Sequence, residues 1–181
     1  VRASDEIVRR SSSSQVAWFG LRLGATLAAL ASKTAARPPR RLVLWDPVTD
    51  GTRYLAELAD AHVAARREAY GLRWEAESRV RAQALEEAKS ESLGYPLTAE
   101  LKAQLGALTP ASFKGARAER VTLVSAGDAQ AALLAPLSGG GAVRARALAS
   151  DIVWLLNDML NDSLIPPDDI RGLVSAFTED A

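Results

Sequence analysis

The amino-acid sequence predicts an α/β protein: a mostly parallel sheet flanked by helices, with a helical insertion between two of its strands. Three observations carry that prediction. Short apolar runs at Val16 to Phe19, Arg41 to Trp45 and Glu119 to Val124 read as buried parallel strands. Stretches rich in alanine and leucine separate them at helical spacing. Gly20 and Gly24 bracket Arg22 where the first run meets the first helix, the layout of a sharp strand-to-helix turn. Glycines there would let strand and helix approach without a Cβ clash.

The elements follow in order. Ser4 to Arg10 has the charge pattern of an amphipathic helix end, and Ser11 to Ser14 reads as a polar linker. The helix from Ala25 to Ala36 is stopped by Pro38-Pro39, and Arg41 to Trp45 completes a βαβ unit ending at Asp46-Pro47. From Thr52 to about Ser112 the pattern is helical. Leu55, Leu58, His62, Ala65, Ala69 and Leu72 share one face of a long charged arm, and Thr98 is placed to cap a further short helix. Glu119 to Val124 resumes the sheet and runs out through Ser125-Ala-Gly-Asp128. A helix follows from about Ala129, then a flexible corner at Gly139-Gly140-Gly141 and a last strand from Val143 to Leu148. Ile152 to Leu160 and Asp168 to Phe177 read as closing helices, the second begun by Pro166-Pro167. The expected organisation is a sheet segment with the sharp turn (1–51), a helical cap (52–115), and the remaining strands and closing helices (116–181).

Composition bounds the function. The 181 residues hold 22 Lys and Arg against 22 Asp and Glu, so no net charge points to nucleic acid or an anionic membrane. No apolar run approaches the roughly 20 residues that span a bilayer. With no cysteine and one histidine, neither a disulfide framework nor a metal centre is expected, and no cofactor is called for. The absence of cysteine fits the cytoplasm. Gly139 to Gly141 lacks the lysine and serine of a phosphate loop. Trp18, Trp45, Trp74 and Trp154 lie on different elements and read as packing.

The segments Phe19-Gly-Leu-Arg-Leu-Gly-Ala-Thr-Leu-Ala28, Leu42-Val-Leu-Trp-Asp-Pro-Val-Thr-Asp-Gly51, Tyr54-Leu-Ala-Glu-Leu58 and Glu91-Ser-Leu-Gly-Tyr-Pro-Leu97 resemble bacterial α/β-hydrolase-fold proteins. The nearest group is the serine-aminopeptidase-like proteins, including the exosortase-system-associated hydrolases. The turn Gly20-Leu-Arg-Leu-Gly24 is laid out like their Gly-x-Ser-x-Gly nucleophile elbow, with arginine in the place of serine. The resemblance implies a helical cap roofing the site, Arg22 at the nucleophile position, the Leu23 N–H as an oxyanion donor and Asp128 as the triad acid. Asp46 is a second candidate for the acid. Because an elbow follows several βα units in that fold, the chain is expected to be the C-terminal portion of a larger protein. A differently folded, stand-alone domain is the alternative.

The same residues argue against the usual chemistry. Arginine cannot be deprotonated and is no nucleophile. A base should follow the last strand, yet no histidine lies beyond Gly141, and His62 sits on a helix face of the expected cap. Arg22 could instead pair with Asp46 or Asp50 from the same sheet edge. Alternatively, with the backbone N–H groups of Leu23 and Gly24 at a helix start, it could bind a ligand carboxylate or phosphate. The expected function is therefore a hydrolase-like protein with a degenerate triad that binds a small acyl or anionic ligand or a partner. An active esterase or peptidase and a scaffold that oligomerises through its cap helices are the alternatives.

Overall fold

The structure, a computed structural model, describes residues 2–11, 13, 15–125, 127–147 and 167–178. These fall into two compact units, one of residues 2–49, 109–147 and 167–178, the other of residues 50–108. The helix expected at Ile152 to Leu160, Trp154 and the Ile165-Pro166 start of the closing helix lie outside the described residues.

The first unit is a four-stranded, all-parallel sheet with flanking helices. Its strands are β1 (Ala17–Leu21), β2 (Arg41–Trp45), β5 (Arg120–Ser125) and β6 (Ala142–Ala147), hydrogen-bonded in that order. The register pairs Ala17 with Arg41, Arg41 with Arg120, and Arg120 with Ala142, so the C-terminal ends of β1, β2 and β5 share one edge. Helix α1 (Arg2–Arg10) precedes β1, α2 (Leu23–Thr34) links β1 to β2, α7 (Gly127–Leu137) links β5 to β6, and α8 (Pro167–Thr178) closes the unit.

Strand alternation divides the side chains between two faces. On one, Leu42, Leu44, Val121 and Leu123 are fully buried against Ala25 and Ala29 of α2 and Leu133 and Leu137 of α7. Phe113, in a short 3-10 turn (Pro110–Phe113), fills the gap beside them. Small residues on α2 are what let that helix lie flat on the sheet. A hydroxyl at Thr26 is tolerated there because it donates to the Val48 carbonyl at 2.9 Å. The other face carries Phe19, Trp45 and Arg41. The Phe19 ring lies 6.3 Å from that of Trp45 and 6.1 Å from that of Phe177 in α8. Arg41 donates to the Phe177 carbonyl, so a cation meets the negative end of α8. Arg117 does the same for α2, donating from Nη2 to the Ala35 carbonyl at 2.7 Å.

The second unit comprises α3 (Gly51–Tyr70), α4 (Leu72–Ala76), α5 (Ser78–Glu87), a minimal hairpin of β3 (Glu91–Ser92) and β4 (Tyr95–Pro96), and α6 (Ala99–Gly106). Thr98 caps α6 by accepting from the Leu101 N–H at 3.1 Å, as its sequence position predicts. Gly51 sits so close to α6 that a Cβ there would fall 1.6 Å from the Leu105 carbonyl oxygen. Its own N–H donates to the Leu108 carbonyl at 3.0 Å, which joins the two ends of the unit.

Three expectations are corrected. The long helical arm is three helices, because Gly71 takes φ 53 and ends α3 with its N–H on the Arg67 and Glu68 carbonyls. Leu72, expected on the apolar face, therefore lies beyond the break and is 92% exposed. The glycine corner is close-packed: a Cβ on Gly140 would fall 1.7 Å from the Ala116 carbonyl oxygen, which only a glycine permits. Of the two glycines flanking Arg22, only Gly20 is sterically required. Its missing Cβ would stand 2.4 Å from the Ala25 Cα, whereas one on Gly24 would meet nothing within 4 Å. Replacing Gly20 with alanine should destabilise the protein by about 3 kcal/mol, since the obstacle is helix backbone and cannot rotate away. Gly24→Ala should be within about 0.5 kcal/mol of the parent or slightly more stable. Urea unfolding of the two variants checks both.

Candidate functional site

The candidate site is built where β1 gives way to α2. Strand and helix are in backbone contact at Gly20, so one residue must reverse the chain between Leu21 and Leu23. Arg22 does so at φ 50, ψ −123, a region that costs a residue with a Cβ about 1–3 kcal/mol. Its own N–H still donates to the Trp45 carbonyl at 2.9 Å, and its carbonyl accepts from Ala25 and Thr26, so the turn is fixed from both sides. One strand over, Asp46 follows β2 in a related state, at φ 44 with its N–H on the Val124 carbonyl.

The two strained residues face each other. Arg22 Nη1 lies 3.0 Å from Asp46 Oδ2, with side chains 23% and 15% exposed. That exposure lies between a surface pair and a fully buried one, so removing one partner should cost about 1–3 kcal/mol. Immediately beyond, the Leu23 and Gly24 N–H groups open α2 without an acceptor among the described residues, and Arg22 gives the helix no side-chain cap. Uncapped N–H groups and a guanidinium at one helix start form a centre of positive potential.

The other candidates are used differently. Asp50 caps α3, accepting from the Arg53 N–H at 2.9 Å. Asp128 follows β5 at the same sheet edge, but it stands exposed in the first turn of α7, where a carboxylate complements the helix dipole. The structure thus brings Arg22 and Asp46 together. Ser125, at the end of β5, was not anticipated. It is fully buried and its hydroxyl makes no hydrogen bond to a described residue. The one sequence signal was a hydroxyl closing the strand that runs out toward Asp128. Among the described residues no group of three or more His, Cys, Asp or Glu side chains could hold a metal, and no helix is long and apolar enough to cross a membrane.

No family model, curated protein or solved structure matches the chain. The geometry of the site therefore carries the functional argument.

His62, in the second unit, holds a turn of the chain in place. It is 2% exposed and its Nδ1 accepts from the Leu93 N–H at 3.1 Å, which fixes the hairpin turn. Its Nε2 lies 3.6 Å from Glu87 Oε2, and neither of those two buried atoms makes a hydrogen bond. Glu87 also accepts from the Gln83 amide at 2.9 Å and from Arg66 Nη2 at 3.1 Å, and Arg66 lies over the Tyr70 ring. The Gln83 hydrogen bond first, and the Arg66 charge second, hold the Glu87 carboxyl below its usual range against the opposing effect of burial.

Two outcomes follow from this geometry. Arg22→Gly and Arg22→Ala both remove the ion pair and differ only in backbone strain. The glycine variant should be the more stable by about 1–2 kcal/mol, the reverse of the usual order, as read by urea unfolding. For Glu87, a folded-state value below the unfolded one means a contribution present above pH ~4.3 and lost as the pH falls through the lower folded value. The stability gap between the parent and Glu87→Gln should therefore be widest near neutrality and close in acid, as followed by thermal unfolding across pH.

Proposed function

We propose that the chain is a hydrolase-like protein with a degenerate catalytic triad that binds a small anionic or acyl ligand at Arg22. The observation that carries this reading is the Arg22–Asp46 pair on strained backbone at the C-terminal edge of a parallel sheet. That edge is where open α/β sheets bind their ligands. A strand meeting a helix through one residue at φ 50, with a glycine before it, is the geometry a nucleophile elbow requires. Here the residue so presented is a cation. A guanidinium stabilises a carboxylate or phosphate by paired charge-assisted hydrogen bonds, and the Leu23 and Gly24 N–H groups would add two donors. Asp46 would then be the internal anion that an entering ligand competes with.

Several features support the absence of hydrolysis in this reading. Arginine supplies no nucleophile, no histidine lies beyond Gly141, and His62 is buried with its Nδ1 on the Leu93 N–H.

Titration with butyrate, hexanoate and inorganic phosphate, followed by calorimetry and amide chemical shifts, tests the proposal. Saturable binding should shift the Leu23 and Gly24 amides and weaken at least tenfold, about 1.4 kcal/mol, in Arg22→Gln. Asp46→Asn should tighten it by removing the competing carboxylate. A fluorophosphonate should leave the chain unlabelled, and Arg22→Ser should give no ester turnover. Covalent labelling of the parent chain, or anion binding indifferent to Arg22→Gln, would overturn the reading.

A further inference from the structure

Hydrogen bonds tie the hairpin of the second unit to α3 at two points, one helical turn apart. Ser92 Oγ donates to the Leu58 carbonyl at 3.2 Å, and the Leu93 N–H donates to His62 Nδ1 at 3.1 Å. The turn between them is poorly suited to its own sequence. β3 and β4 pair Ser92 with Tyr95, so Leu93 at φ 51 and Gly94 at φ 87 must reverse the chain. Two positive φ values in succession suit asparagine or glycine, and leucine is disfavoured there. Such a turn depends on contacts from outside it, and the bond to His62 is one.

Of the two ties, one can be cut by a proton. Nδ1 accepts from an amide only while it carries no proton, and in the imidazolium both ring nitrogens are donors. A proton taken up from solvent at Nδ1 therefore sets two donors against each other, the ring and the Leu93 N–H. On the far side of the ring the same event is favourable. Nε2 lies 3.6 Å from Glu87 Oε2, and both atoms are buried without a hydrogen bond. A charged ring would draw on the acceptor that the structure leaves unused.

We propose that His62 is a proton-operated latch, whose protonation exchanges the Leu93 amide for the Glu87 carboxylate and frees the tip of the hairpin. The latch is closed while the ring is neutral and opens as the pH falls through the titration of the ring. The Ser92 tie holds no ionisable group, so the release is confined to the tip. Among the described residues, Glu87 of α5 is the one carboxylate within ion-pair distance of the ring, and Arg66 of α3 balances it with Nε at 2.9 Å. Glu87 favours the imidazolium and Arg66 opposes it. The Gln83 hydrogen bond first, then the Arg66 charge, keeps the Glu87 carboxyl ionised into mild acid. Glu91, half-buried at the start of β3, adds a charge of the same sign. The remaining neighbours are engaged elsewhere. On α6, Lys102 donates to the Lys89 carbonyl and Glu100 accepts from Gln104, and on α4 Arg73 pairs with Glu77 and Glu75 with Arg67. The inference concerns the second unit alone and is independent of whether Arg22 binds a ligand.

The sequence holds a single histidine, so its ring resonances report protonation directly. An NMR titration of the chain from about pH 8 to about pH 4.5, with amide hydrogen exchange at each step, tests the latch. The Leu93 protection factor should fall roughly tenfold, the worth of one hydrogen bond, in step with the ring, while the amides of α3 hold theirs. Because the coupling is reciprocal, a weaker hairpin must make the ring easier to protonate. Gly94→Ala weakens it through φ alone, since a Cβ there meets nothing within 4 Å. It should move the ring midpoint to higher pH by about half a unit. Glu87→Gln should move it to lower pH. His62→Asn keeps an acceptor oxygen beside the Leu93 N–H but cannot titrate, and should abolish the pH dependence of Leu93. A ring that titrates while Leu93 keeps its protection would overturn the proposal. So would a ring that stays neutral until the chain unfolds, a Gly94→Ala midpoint equal to the parent's, or acid release of Leu93 in His62→Asn.

Discussion

Everything at the C-terminal edge of the sheet depends on one close approach, the contact between Gly20 of β1 and Ala25 of α2. A helix this near its strand leaves no room for a loop. The single connecting residue must take a backbone conformation that suits glycine, and here it is arginine. The ion pair with Asp46 and the strain at Arg22 are of the same order, each about 1–3 kcal/mol. The pair thus offsets the strain rather than adding stability, and its effect is to fix direction: the guanidinium is held at the sheet edge. Asp46 is strained in the same sense, so neither residue can relax its backbone without releasing the other.

The second unit shows the same physical economy in a different form. His62 is held in its buried position by the Leu93 N–H on Nδ1, while its Nε2, without a hydrogen bond, lies near a carboxylate whose charge is balanced by Arg66. Both clusters place opposite charges against one another within a unit, consistent with a chain whose formal charges cancel.

Much of this was legible in the amino-acid sequence, for identifiable reasons. The runs at 42–45 and 121–124 are apolar but for Thr122, and they became the bodies of strands β2 and β5. Pairing of Arg22 with Asp46 could be anticipated, because both follow runs that had to be parallel neighbours. What escaped depended on contacts between distant segments. A glycine at 71 inside a good helical pattern gives no sign of whether it will bend, pack or stop the helix, and here it stops it. Gly24 matched a pattern while carrying none of its steric burden, which falls on Gly20 alone. Asp50 looked like a partner for Arg22 and is a helix cap, and the two roles are indistinguishable until the N–H of Arg53 is placed. Ser125 was passed over because a second hydroxyl, in a strand that already holds Thr122, barely alters its pattern.

The bond from the Gly51 N–H to the Leu108 carbonyl, at 3.0 Å, bears on how the chain finds its fold. β2 and β5 are adjacent in the sheet but separated by residues 46–119, and bringing such distant strands together costs chain entropy. Once residues 51 and 108 are tied, the free length shrinks to the arms 46–50 and 109–119, about a fivefold reduction. The loop-closure cost then falls by roughly 1.4 kcal/mol. An insertion with joined ends behaves kinetically like a short turn. The helical unit, assembled first from local contacts, would thereby act as an intramolecular folding aid for the parallel sheet that surrounds it in sequence.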